Sequence, residues 1–214
     1  MSNWRRSLAE RPESSLDGSR GIGCLSSEKP LPCRWWEPIL IPGLLQTADY
    51  ARALFQAWQP ASSEDDLDAL VNGRLERQSI LGRDGPPDLW VVLDESVLHR
   101  LIGSPKVMHG QLEHVADTSC RPMVTVQVIP AELGAHGGLL GAFILAGPSS
   151  TVYLETAVEA QITGDDPVKE RAALTFDRLT RDALPRGASR DLIRALVDGV
   201  RSGEFDPDGT GFLP

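Results

Sequence analysis

Two hydrophobic periods divide this chain, and the switches between them set the element order. From residue 42 to 58, Leu44, Ala48, Ala51, Phe55 and Trp58 recur at steps of four and three, the apolar stripe of a helix. The stretch "QPASSEDD" interrupts it. Ser62 or Ser63 is placed to cap a second helix, and Glu64, Asp65 and Asp66 favour the positive end of its dipole. Leu67, Val71 and Leu75 line that helix. Arg74 and Arg77 stand late in it, and Gly82 follows as expected after a helix C-terminus.

The period then drops to two. In "PPDLWVVLDES", Leu89, Val91 and Leu93 point one way and Trp90, Val92 and Asp94 the other, which predicts a strand over 89–94. "KVMHGQLEHVADTS" returns to helical spacing with Met108, Leu112 and Val115 inward. "MVTVQVIP" gives the clearest strand, with Val124, Val126 and Val128 on one face. After the glycine-rich "AELGAHGGLLG" come strands at "AFILAG" and "STVYLET" and a short one at "VEAQIT". Helices over 166–184 and 189–202 close the pattern, and residues 204–214 read as a tail. Residues 1–34 are rich in Ser, Gly, Pro and Arg, and read as an irregular extension with one short helix at 4–10. The segment 35–41 is apolar but carries prolines, so it reads as an extended arm packed across the domain.

Helices at both ends with closely spaced strands between them predict an α+β fold. Its small central sheet is mainly antiparallel or mixed, within a single domain over 35–203. With 214 residues and 41% hydrophobic content, the chain is long enough for one substantial core.

Charge removes some functions. The formal net charge is −9, the opposite of the basic footprint of nucleic-acid binding, and it disfavours anionic membranes too. Cys24, Cys33 and Cys120 form no CxxC pair and no zinc spacing. An odd count with no signal peptide suits the cytoplasm, and no apolar run is long enough to span a membrane. No cofactor motif appears, and no metal site is predicted: His109 and His114 stand five apart, on different helix faces.

The blocks "WEPILIPGLLQTADYARALF", "RLERQSIL", "LWVVLDESVLHRLIG", "MHGQLEHV", "VTVQVIPAELGAHGGLLGAF" and "VYLET" occur in this order. Over residues 35–200 the chain resembles the C-terminal domain, of unknown function, of actinobacterial Xre-type helix-turn-helix regulators, also called antitoxin-like transcriptional regulators. The usual architecture of that family implies a DNA-reading helix-turn-helix before this domain. Residues 1–34 show no pattern for one, so the expectation here is no direct DNA binding.

Candidate chemistry centres on the strand ends. Asp94 and Glu155, if their strands are neighbours, could share a sheet face as an acid–base pair. The alternative is that one caps a turn and the other pairs with an arginine such as Arg77 or Arg100. His136 sits in the glycine-rich loop, which is either a strand-to-strand turn or a lid over a ligand. Trp35, Trp36, Trp58 and Trp90 are either core or the walls of a flat apolar pocket. The expected site is a cavity between strands 89–94 and 151–155, roofed by the loop. Its catalytic candidates are Asp94, Glu155 and His136, and its ligand-binding candidates are Trp36, Trp90, Tyr153, Glu95 and Arg77. Two functions follow. One is a regulator-type domain that binds a small hydrophobic ligand or a small partner protein, with homodimerisation open. The other is an enzyme derived from such a domain, which guides a cyclisation or isomerisation of a hydrophobic natural product by pocket shape and carboxylate help.

Overall fold

The computed structural model describes residues 32–147, 151–155 and 160–202. The expected short helix at 4–10 and the tail from residue 204 lie outside them. A mixed six-stranded sheet in the order β3-β2-β1-β4-β5-β6 forms the centre, with helices before and after it in the chain. The expected α+β architecture with a mixed sheet is therefore present.

The main departure from the sequence reading is β1, Cys33–Glu37. The segment read as a packed arm instead starts in an interior strand, parallel to β2 (Leu89–Asp94) and antiparallel to β4 (Phe143–Ala146). Its five residues fit between Pro32 and Pro38, so neither proline interrupts the ladder. Alternation sends Trp35 to one face and Trp36 to the other, with exposures of 5% and 0%. After the strand, Glu37 Oε1 accepts the backbone N–H groups of Ile39 and Leu40, which turns the chain away from the sheet.

One sheet face is covered by α1 (Ala48–Trp58), α4 (Pro105–Thr118) and α6 (Arg186–Ser202). Tyr50, Leu54, Met108, Leu112, Val115, Ile193 and Val197 pack there against Trp35, Leu89, Val91, Leu93, Val124, Val126 and Val128. The other face carries α5 (Asp166–Asp182), whose Ala172, Phe176 and Leu179 meet Trp36, Val92, Phe143, Leu145 and Val152. Strand β3 (Val124–Ile129) lies at one edge. The α5–α6 link covers it: Leu184 N–H donates to the Val128 carbonyl at 2.8 Å, and Val128 N–H donates to Ser189 Oγ at 3.0 Å. Strands β5 (Thr151–Glu155) and β6 (Ala160–Thr163) complete the antiparallel half.

The second helix, α2 (Glu64–Gln78), starts as its residues imply. Ser63 Oγ accepts Asp66 N–H, and Asp66 returns a carboxylate to Ser63 N–H, a complete capping box. Its inner face differs from the expected one: Leu75 is 36% exposed, and Arg74 is buried one position earlier. Arg74 Nη1 donates to Gln46 Oε1 at 2.7 Å, and its guanidinium lies over the Phe55 ring at 4.8 Å. Gln46 in turn donates to the Ile41 carbonyl, and Gln111 Nε2 to the Leu45 carbonyl. These buried amides hold the irregular segment between β1 and α1. That segment breaks at Thr47, so the helix expected from residue 42 becomes a short 3-10 turn followed by α1. No helix among the described residues is long and apolar enough to cross a membrane.

Candidate functional site

Strands β1, β2 and β3 run parallel, and the chain must return from the end of β3 to β4 on the far side of β1. The connection over residues 130–142 therefore passes across the C-terminal ends of β2 and β1. His136 lies on this crossing, above the two strand ends.

Asp94, the last residue of β2, uses both carboxylate oxygens. Oδ1 accepts the backbone N–H and the hydroxyl of Ser96 and so starts the short helix α3 (Ser96–His99). Oδ2 lies 3.1 Å from His136 Nε2. The other ring nitrogen, Nδ1, accepts Gly138 N–H at 3.2 Å. That leaves the proton on Nε2, directed at Asp94. His136 is 2% exposed in its side chain and Asp94 is 19% exposed. Trp36 completes the cluster. Its indole N–H donates to the Gly138 carbonyl at 2.9 Å, and its ring meets the imidazole edge-on at 5.2 Å and 88°. A Cβ on Gly138 would fall 2.4 Å from the indole, so only glycine fits between the loop backbone and Trp36.

Glu95 ties the neighbouring turn. One carboxylate oxygen accepts Ala131 N–H at 2.8 Å, and the other lies 3.4 Å from His99 Nε2. The His99 hydrogen bond holds the Glu95 carboxyl below the usual carboxylate range, with burial opposing it and the Ala131 bond helping.

Of the sequence candidates, Asp94, His136 and Trp36 come together, and Glu95 flanks them. Trp90 shares their sheet face but sits nearer the other strand end. Its indole donates to Gln127 Oε1 at 2.8 Å, and its ring packs edge-on against Phe176. Tyr153 lies in the core of the opposite face. Arg77 rides on α2, outside the sheet and apart from the cluster. Glu155 ends β5, at the same end of the sheet as Asp94. The two strands are not neighbours, however: β1 and β4 lie between them, about 14 Å in all. The side chain of Glu155 lies outside the described residues. The acid–base pairing imagined for Asp94 and Glu155 thus has no adjacent strands to support it.

Beneath the loop, Trp36, His136 and Gly138 pack against one another. Both ring nitrogens of His136 are bonded within the protein, whereas Asp94, 19% exposed, keeps a lone pair on Oδ2 beyond its bond to His136. Trp58, read as part of a buried stripe, is 41% exposed with one edge against Phe55. Gly138 and Ser96 escaped the sequence reading. One glycine among several in a glycine-rich loop gives no local sign that a tryptophan 102 residues away will lie against it. No group of three or more His, Cys, Asp or Glu side chains arranged for a metal occurs among the described residues.

A family model described as a domain of unknown function, DUF5753, matches residues 33–195, and the chain belongs to that family. The match begins at the first residue of β1, so the central strand is part of the domain. No curated protein and no solved structure matches the chain.

Proposed function

We propose that this chain is a regulator-type binding domain whose docking element is the loop over residues 134–141, and that it engages a small partner protein. The observation that carries this reading is the contrast within the loop. Its base is bolted down through Trp36, His136 and Asp94, while its tip holds Leu139 at 58% and Leu140 at 101% exposure. An apolar side chain held fully in water by a rigid base loses little conformational freedom on binding and makes an efficient anchor. Leu133, Ile39 and Leu101, each partly or largely exposed, lie at the same end of the sheet and extend the apolar surface. The chain's charge of −9 favours a partner with a basic rim around an apolar pocket and disfavours duplex DNA.

The enzyme reading has less support, because both ring nitrogens of His136 are bonded within the protein and its side chain is buried. The deciding experiment takes a small protein that co-purifies with this chain and titrates it against wild type and a Leu139→Ser/Leu140→Ser variant. The expected result is a loss of about tenfold or more in affinity with an unchanged melting temperature. Equal affinity for the two would reject the loop as the docking element.

A further inference from the structure

At the opposite end of the sheet two clefts meet at one arginine. The first, about 290 Å³, has Leu44 and Leu81 as apolar walls and Ser79, His114, Thr118 and Arg121 as polar ones. The second, about 360 Å³, is lined by Pro86, Pro87, Pro122 and Met123, and shares Leu81 and Arg121 with the first. Each approaches or falls within the size range of small-molecule sites. One is chiefly polar on one wall, the other almost wholly apolar, and Met123 is 39% exposed at its mouth.

The Arg121 guanidinium makes one long hydrogen bond, Nη1 to the Leu81 carbonyl at 3.5 Å. Among the described residues no carboxylate pairs with it. Its fork of donors therefore remains available to a planar anion. Two further arginines sit beside it. Arg186 donates to the carbonyls of Ser119, Arg121 and Val124, and Arg190 donates to the Ser119 carbonyl. An acidic protein thus gathers three guanidinium groups at this one corner. His114 adds a neutral donor. Burial lowers its pKa, the Arg121 charge lowers it further, Asp117 opposes them, and no hydrogen bond contributes. His114 and Thr118 stand i, i+4 on one face of α4, and Arg121 follows in the turn just beyond the helix end.

We propose that the joined clefts bind an amphipathic organic anion, with its carboxylate between Arg121 and His114 and its apolar body along Pro86, Pro87, Pro122 and Met123. The site stands apart from the docking loop. Asp94 lies at the other end of β2, about 16 Å along the strand from Leu89.

The test uses the full chain and three probes: octanoate, octan-1-ol with the same body and no charge, and acetate with the same head and no body. Calorimetry should show saturable octanoate binding, with both other probes weaker by about tenfold or more. In NMR spectra the His114 ring signals should move on adding octanoate, and the imidazole should titrate at higher pH, since an adjacent anion favours its charged form. Arg121→Gln, at an exposed position, should weaken octanoate by about tenfold or more with an unchanged melting temperature. Gly82→Phe should also block binding, because Gly82 lines the first cleft and a Cβ there meets nothing within 4 Å. The proposal is overturned by any of four results: no saturable octanoate binding, equal binding of octanol, unchanged affinity in Arg121→Gln, or unchanged affinity in Gly82→Phe. None of these bears on the loop, whose own variants leave the clefts untouched.

Discussion

The indole N–H of Trp36 donates to the carbonyl of Gly138, 102 residues later, at 2.9 Å. This one bond joins the central strand to the tip-bearing loop and satisfies a fully buried indole. Through Gly138 it also sets His136, whose ring accepts the Gly138 N–H and donates to Asp94. The loop is therefore held by two neighbouring strands at once, through Trp36 of β1 and Asp94 of β2.

The first consequence concerns Gly138. A methyl group at this position would lie 2.4 Å from the Trp36 ring, so either the loop lifts or the indole moves. Gly138→Ala should lower stability by about 2–4 kcal/mol in a denaturant titration, whereas Gly137→Ala, whose added Cβ would meet only Thr175 at an ordinary 3.8 Å, should cost under about 1 kcal/mol.

His136 is a positioning residue for the loop. His136→Ala removes both of its bonds and the edge-on contact with Trp36. The loss should be about 1–3 kcal/mol, and amide exchange should accelerate at Gly138 and Leu139 while the strands stay protected. Asp94→Asn should cost less than His136→Ala, because its amide oxygen still accepts one of the same bonds. Equal exchange rates in wild type and His136→Ala would show that the loop is held some other way.

Glu95 gives the protein an acid-sensitive point. Its folded carboxyl titrates below the ordinary value of 4.5, first because of the His99 bond. The stability it contributes is thus fully present above about pH 4.5 and is lost as pH falls from there through the lower folded value. Glu95→Gln should destabilise by about 1–3 kcal/mol at pH 7 and flatten the acid limb of the stability curve. Melting temperatures measured from pH 3 to 7 on both proteins test this.

Tyr50 sets the alkaline limb. Burial pushes its phenol up to about 12, while the bond from Ile41 N–H acts in the opposite direction. A raised folded value means that stability is fully present below the unfolded value of 10 and is lost as pH rises toward 12. Tyr50→Phe should remove this alkaline loss. At pH 7 it should cost about 1–2 kcal/mol, because the Ile41 N–H loses its acceptor. Ultraviolet titration of the tyrosines together with melting curves reads both effects.

Amide exchange separates a strand from an arm at residues 33–37. As an interior strand bonded on both sides, β1 should exchange among the slowest segments, close to the global unfolding rate. Rapid exchange there would contradict the sheet order.

Local signals were enough for most elements. The capped, acidic helix start at Ser62–Asp66, the buried stripe of Met108, Leu112 and Val115, and the alternation of Leu89 to Asp94 are written in neighbours within one or two turns. Such features depend on contacts a few residues apart, so the sequence alone determined them, along with the α+β class. The sequence also placed Asp94 and His136 among the residues to watch.

Tertiary structure decided the rest. "CRWWE" carries no alternation of polar and apolar positions, because an interior strand buries both faces. Only the pairing of β1 with β2 and β4, strands some 50 and 100 residues away, identifies it. Missing that strand hid the parallel β1-β2-β3 half of the sheet and the long return to β4 that brings His136 over Asp94. Strand order also keeps Asp94 and Glu155 apart: both finish strands at the same end of the sheet, yet two strands intervene. Strand order is set by how whole apolar faces pack together, and that balance is not encoded in any short stretch of chain.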